Sequence, residues 1–215
     1  MDIQTALVRL NSHLPLKARQ NRLPQVLKTA HQRVLACLIT QGRPPSAEEL
    51  ETVLGQDNLT TGLQRLAAED LVVLDAKGKH VVGAYPVTIE RTPHKISVHG
   101  HSIYAMCALD AVAVAPMFAT EVRIDSGCHV SKTPISIHMS GRELLEVHPT
   151  ADVVVGIRWQ MPSAVAAHSM CTQMVFLKDR QVALDWQQGD SENISLFSLP
   201  EAVAFAEAFF LPLLD

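Results

Sequence analysis

The sequence predicts an α+β fold, with an N-terminal winged-helix-like helical region followed by a mixed domain of antiparallel strands and helices. Three observations carry that prediction. Residues 31–90 read helix, helix, helix, hairpin, the winged-helix order. Residues 121–177 hold four strand-like apolar runs. The chain closes on an apolar helix with its own start signal. Nearly half of the 215 residues (47%) are hydrophobic, enough for a sizeable core. Three segments are expected: an N-terminal helical segment over 1–30, the winged-helix-like region over 31–90, and a mixed domain over 91–215.

Residues 1–30 carry five Lys/Arg against one acid, which suits a basic helix packed on the outside or a mobile arm. "AHQRVLACLITQG" has helical periodicity and stops at Gly42. "PSAEELETVLG" opens on Ser46 as N-cap, with Glu49 three residues later and Gly55 as the stop. "LTTGLQRLAAEDL" supplies the third helix, and "LVVLDAKGKHVVGAYPV" alternates around Lys77-Gly78-Lys79 as a hairpin does. Further on, an apolar helix is expected over Ile103–Ala119 and a short helix over "SGRELLEVHP". "TEVRID", "PISIHM", "DVVVGIRWQ" and "CTQMVFL" read as strands. The last helix, "SLPEAVAFAEAFFLPLLD", has a capping box from Ser198 to Glu201 and Pro200 in its first turn.

Composition narrows the function. Net charge is −4, so there is no general attraction to nucleic acid or an anionic membrane. The third helix of the winged-helix pattern offers Arg65 against Glu69 and Asp70, whereas phosphate contacts need cations. A structural or dimerising role suits that region better than DNA binding. Ile103–Ala119 is 17 residues long and carries Asp110 and Pro116, whereas a membrane span needs ~20 apolar residues. A buried core helix is expected instead. The start of the chain has no apolar stretch of signal length, so the expected compartment is the cytosol. Four cysteines without a CxxC pair do not form a disulfide framework.

The chemistry concentrates in "YAMCALDAV". Between Lys95 and Glu121 the only Asp, Glu, Lys or Arg is Asp110, three positions after Cys107. On a helix the two side chains are neighbours. Apolar surroundings should raise the carboxyl pKa, and a raised carboxyl beside a thiol can pass a proton back and forth. His99 and His101 could hold it ionised. The plain alternative is a core cysteine with a capping or satisfied aspartate. Cys37, in the first helix of the winged-helix pattern, reads as core. Cys128 falls in a turn after a strand and Cys171 at the start of one. Cys128, His129, His168 and Cys171 could ligate zinc, but their spacings match no zinc module.

"YAMCALDAVAVAPM", followed by a turn cysteine and then by "HSMC", resembles the organomercurial (alkylmercury) lyases from about Ile96 to Phe176. Members carry a winged-helix-like region before the catalytic part, so the resemblance makes 91–215 the catalytic domain. By resemblance, Cys107 and Cys171 are the catalytic cysteines, Asp110 is the catalytic aspartate, these three meet the mercury of substrate and product, and Cys128 is a structural cysteine. Two departures bear on substrate preference. Met106 stands where many members have an aromatic residue, and Thr172 and Gln173 stand where some have Cys and His.

The resemblance implies protonolysis of the carbon–mercury bond, giving a hydrocarbon and Hg(II) held by two cysteines. Thiolates are the ligands a soft metal selects. Two of them push electron density through mercury onto carbon, which then accepts a proton from Asp110. No cofactor is required, external thiols release the product, and small thiols or a mercuric reductase accept the Hg(II). The implied role is cytoplasmic mercury detoxification and resistance. The alternative is a non-catalytic soft-metal binding or sensing protein on the same fold, which has no need of Asp110.

Overall fold

The computed structural model describes residues 1–55, 58–163 and 165–215. At its centre is helix α6, Ala108–Phe118, buried at every position but Phe118. A helix that is apolar all round has no solvent face to offer, so it sits inside the fold. It packs on helix α8, Leu199–Phe210, and against strands of both sheets. Among the described residues no helix is long and apolar enough to cross a membrane.

The N-terminal helices are α1 (Ile3–His13), α2 (Leu16–Asn21), α3 (Gln25–Gln41), α4 (Ala47–Leu54) and α5 (Leu59–Ala68). The basic first segment is packed rather than free. Helix α1 lies against α8. The buried Gln20 donates to Leu213 O at 2.7 Å and meets His31 Nδ1 at 3.0 Å, tying α2 and α3 to the C-terminal turn. Helix α4 has its full capping box between Ser46 and Glu49. Gly42 ends α3 at φ +67°, where a Cβ would also lie 2.5 Å from the His101 ring.

The main sheet is antiparallel throughout, with strands β1 (Val73–Leu74), β2 (Val81–Ala84), β3 (Val87–Thr88), β4 (His94–Val98), β5 (His101–Ala105), β6 (Glu121–Gly127), β7 (Pro134–Ser140) and β8 (Glu143–His148) in the order β1-β2-β3-β5-β4-β6-β7-β8. The hairpin expected around Gly78 is β1–β2, closed by Asp75 Oδ1 on the amides of Lys79 and His80. Through β3 it continues into the main sheet. A second antiparallel sheet, β10-β9-β11, is built from Val154–Arg158 (β9), Met174–Leu177 (β10) and Ile194–Ser198 (β11). Helix α7, Arg180–Gln187, links β10 to β11, and α8 follows with the Ser198–Glu201 capping box. The fold is α+β as expected.

Two elements differ from the sequence expectation. "SGRELLEVHP" is not a helix: Glu143–His148 is edge strand β8, paired with β7. Gly141, at φ +52°, makes the turn, and Glu143 and Glu146 keep the edge in water, as edge strands require. The apolar run from Ile103 is not one helix either. His101–Ala105 is β5, pairing with both β4 and β3, and the helix begins only at Ala108.

Candidate active site

The break between β5 and α6 places Cys107. It is the N-cap of α6, with extended backbone, and not a residue inside the helix. Its Sγ accepts the Asp110 amide N–H at 3.3 Å, the position a serine hydroxyl takes in an ordinary cap. Asp110 stands one turn in, and both side chains are about 1% exposed. Cys171 comes from the 3-10 turn Met170–Gln173, ahead of β10 and not within a strand, and is 3% exposed. The two sulfurs and an Asp110 carboxylate oxygen all lie within 4.8 Å of one another. Among the described residues no other set of three or more His, Cys, Asp or Glu side chains gathers in this way. In particular, Cys128, His129, His168 and Cys171 do not assemble a zinc site.

Burial sets the protonation states. Desolvation pushes the Cys107 thiol well above its ordinary value, and Cys171 and Asp110 add to the rise. At Cys171 the Cys107 thiol favours the thiolate, but burial and the charges of Asp110 and Asp70 outweigh it, so that thiol is also raised. Desolvation lifts the Asp110 carboxyl to about 7, against the pull of the two thiols. Neither His99 nor His101 contributes to that shift. Asp110 Oδ2 is buried without a hydrogen-bond partner. A lone buried oxygen costs about 1–3 kcal/mol, so this atom is kept at the expense of stability. The resting site therefore holds two neutral thiols and a carboxyl that can be charged or neutral near pH 7.

A cavity of about 480 Å³ opens beside this cluster. Met106, Cys171, Met174, Val175 and Phe176 supply its apolar wall, whereas Cys107 and Asp110 do not line it. His94 is in the wall too, its Nδ1 2.8 Å from Ser126 Oγ and its ring edge-on to Phe176; burial lowers its pKa to about 4, so it is neutral. Cys128 also faces the cavity, from the turn after β6. Burial opposes the Cys128 thiolate, but the Ser131 hydroxyl and amide, with further backbone amides, outweigh it and leave the thiol below its ordinary value. Thr172 Oγ1 donates to Ser169 O at 2.6 Å, so it braces the turn that carries Cys171.

A buried network that the sequence did not disclose holds the segment leading to Cys171. Tyr85, between β2 and β3, donates to Asp70 Oδ1 at 3.3 Å and accepts from Ala167 N at 2.7 Å. Asp70 Oδ2 accepts from Ala166 N at 3.1 Å and faces Arg19 Nη1 at 3.7 Å. Asp70 sits at φ +57°, a conformation aspartate tolerates better than most residues. The N-terminal helices thus reach the Cys171 segment through two side chains. The one sequence signal is an acidic pair, Glu69-Asp70, just after a helix, too common to single out.

Comparison with known proteins agrees with the motif. Residues 87–211 match the family model described as MerB, alkylmercury lyase. The chain is 28% identical over 156 residues to an alkylmercury lyase of Bacillus cereus, covering 72% of this chain and 69% of that one. It is 29% identical over 163 residues to an alkylmercury lyase of Staphylococcus epidermidis, covering 75% and 73%. The fold is that of the mercury-bound form of MerB2, with a TM-score of 0.77 over 93% of this chain and 98% of that one, at 19% identity. The family match spans more than half of the sequence and contains Cys107, Asp110, Cys128 and Cys171; this chain belongs to the alkylmercury lyase family.

Proposed function

We propose that this chain cleaves the carbon–mercury bond of organomercurials by protonolysis, with Cys107 and Cys171 taking the metal and Asp110 carrying the proton. The observation that carries this reading is the cluster itself: two thiols and a buried carboxyl within 4.8 Å, beside an apolar cavity. An organomercurial cation entering the cavity meets Cys171 in its wall. A metal-bound thiol gives up its proton outright, so the high thiol pKa values do not block binding. The two thiols bring two protons: one leaves with the ligand the substrate carried in, and the other reaches carbon through Asp110. The C–Hg bonding pair takes that proton, the hydrocarbon departs, and Hg(II) stays between the two sulfurs.

A carboxyl at about 7 suits both halves of that transfer, since a proton carrier works best with its pKa near ambient pH. The apolar wall of the cavity, Met106, Met174, Val175 and Phe176, suits an organic group, while Arg91 and Lys132 also line it. Cys128 acts in this scheme as support for the cavity wall. Small thiols or a mercuric reductase take the Hg(II) away, no cofactor takes part, and the setting is the cytoplasm, where thiols are kept reduced.

Incubation with phenylmercury and excess thiol tests the reading, with benzene as the measured product. Stoichiometric mercury binding without benzene would instead identify a soft-metal binding protein. Metal analysis of the resting protein should find no stoichiometric zinc, and about one Hg(II) per chain after turnover, following the affinity of soft metals for paired thiolates.

A further inference from the structure

Met174 opens β10, directly after the turn that carries Cys171, and is 3% exposed. Its Sδ lies 3.6 Å from Cys107 Sγ, and the Cys107 thiol donates to it. The backbone of Met174 is held in the second sheet opposite Ile157. Met174 and Cys171 both line the cavity, whereas Cys107 and Asp110 do not. Met174 therefore borders both the cavity and the Cys107 sulfur.

We propose that Met174 is a third soft ligand, holding the mercury of substrate and product through its thioether beside Cys107; this rests on the two-thiol reading above. A thioether is among the ligands that soft metals select. It is neutral and carries no proton, so it can bind an incoming RHg(II) before either thiol has been deprotonated. The lone pair that accepts the Cys107 S–H at rest faces the metal once that proton has gone. Two thiolates alone favour a linear Hg(II). A third, weaker sulfur bends that unit and gives the metal somewhere to sit as it moves between Cys171 and Cys107. Methionine also serves as an adaptable filler of irregular core gaps. A filler can be exchanged for leucine at little cost and with no effect on the metal's ligand shell.

The test loads one equivalent of Hg(II) into the wild type and into Met174→Leu, and reads X-ray absorption at the selenium edge of selenomethionine-labelled protein and at the mercury edge of unlabelled protein, with Cys107→Ser measured alongside at the mercury edge. A mercury–selenium path present in the wild type and lost in Met174→Leu is expected. Stopped-flow capture of phenylmercury by Met174→Leu should be slower by about tenfold, the effect of ~1.4 kcal/mol. The variant's melting temperature checks that it folds. Absence of the mercury–selenium path in the wild type, or its survival in Met174→Leu, overturns the proposal. Two short mercury–sulfur bonds without a selenium path would overturn this inference alone. Mercury that keeps its ligands in Cys107→Ser would overturn the two-thiol reading as well.

Discussion

Asp110 holds Cys107 through its backbone amide, which donates to Sγ at 3.3 Å, and its carboxyl lies within 4.8 Å of the same sulfur. The sulfur is thereby fixed to the first turn of α6, and a metal bound there stays within reach of the carboxyl. The helix N-terminus offers partial positive charge to an incipient thiolate, while burial keeps the resting thiol neutral. The arrangement favours the thiolate only once a metal replaces its proton.

This geometry makes Cys107→Ser a clean variant. Serine is a better N-cap than cysteine, so the start of α6 should survive. Cys107→Ser and Cys171→Ser should each melt near the wild type and each release no hydrocarbon in single-turnover assays. Substantial turnover by either one would show that the two sulfurs do not act together.

Tyr85→Phe removes the hydroxyl that joins Asp70 to Ala167 N. It leaves a mostly buried amide unpaired, at a cost of about 1–3 kcal/mol. The variant should melt lower and also cleave more slowly, because the segment leading to Cys171 loses a tether. Thermal melts and single-turnover rates measured side by side check this. An unchanged rate in a destabilised variant would separate the network from the chemistry.

Cys128 is buried, and its sulfur accepts the Ser131 amide at 3.5 Å. Cys128→Ser should cost about 1–3 kcal/mol of stability and change the cleavage step less than the stability. A variant with wild-type stability and no activity would make Cys128 a ligand.

Asp110 also shapes the pH dependence of stability. Its folded-state pKa, about 7, lies above the unfolded value of 3.8, so the folded state holds its proton more tightly. That advantage is complete below about pH 4 and is lost as pH rises through about 7. The stability of the wild type relative to Asp110→Asn should therefore fall between those pH values, by up to about 4 kcal/mol, and level off above. Chemical denaturation of both proteins across this range gives the difference directly, and a flat difference would mean that the carboxyl is not raised.

The fold class was legible because capping boxes and glycine stops are local signals. Ser46–Glu49, Gly42 and Ser198–Glu201 each do in the structure what their sequence implies. Local pattern and structure part where tertiary pairing overrides the local signal. Leu144, Leu145 and Val147 fit a helical face as well as a strand, and only pairing with β7 decides between them. Ile103 belongs to an apolar run whose first part is drawn into the sheet by β3 and β4. Cys107 and Asp110 were visible as a lone thiol and carboxylate in an apolar stretch. Their approach to Cys171, some 60 residues on, was suggested only by family resemblance. Asp70, Tyr85 and Met174 were invisible, since each matters only through a partner far along the chain.

Proton delivery by Asp110 is tested most directly by a single turnover of phenylmercury, wild type against Asp110→Asn, in heavy water and with bound mercury measured in parallel. Asparagine has nearly the shape of aspartate but cannot collect a proton from a thiol and release it to carbon. The wild type should release benzene carrying one deuterium. Asp110→Asn should bind the same amount of mercury and cleave at least ~100-fold more slowly, the usual loss with a general acid–base group. Equal rates in the two proteins would contradict proton transfer through Asp110 and leave the cleavage to the cysteines alone.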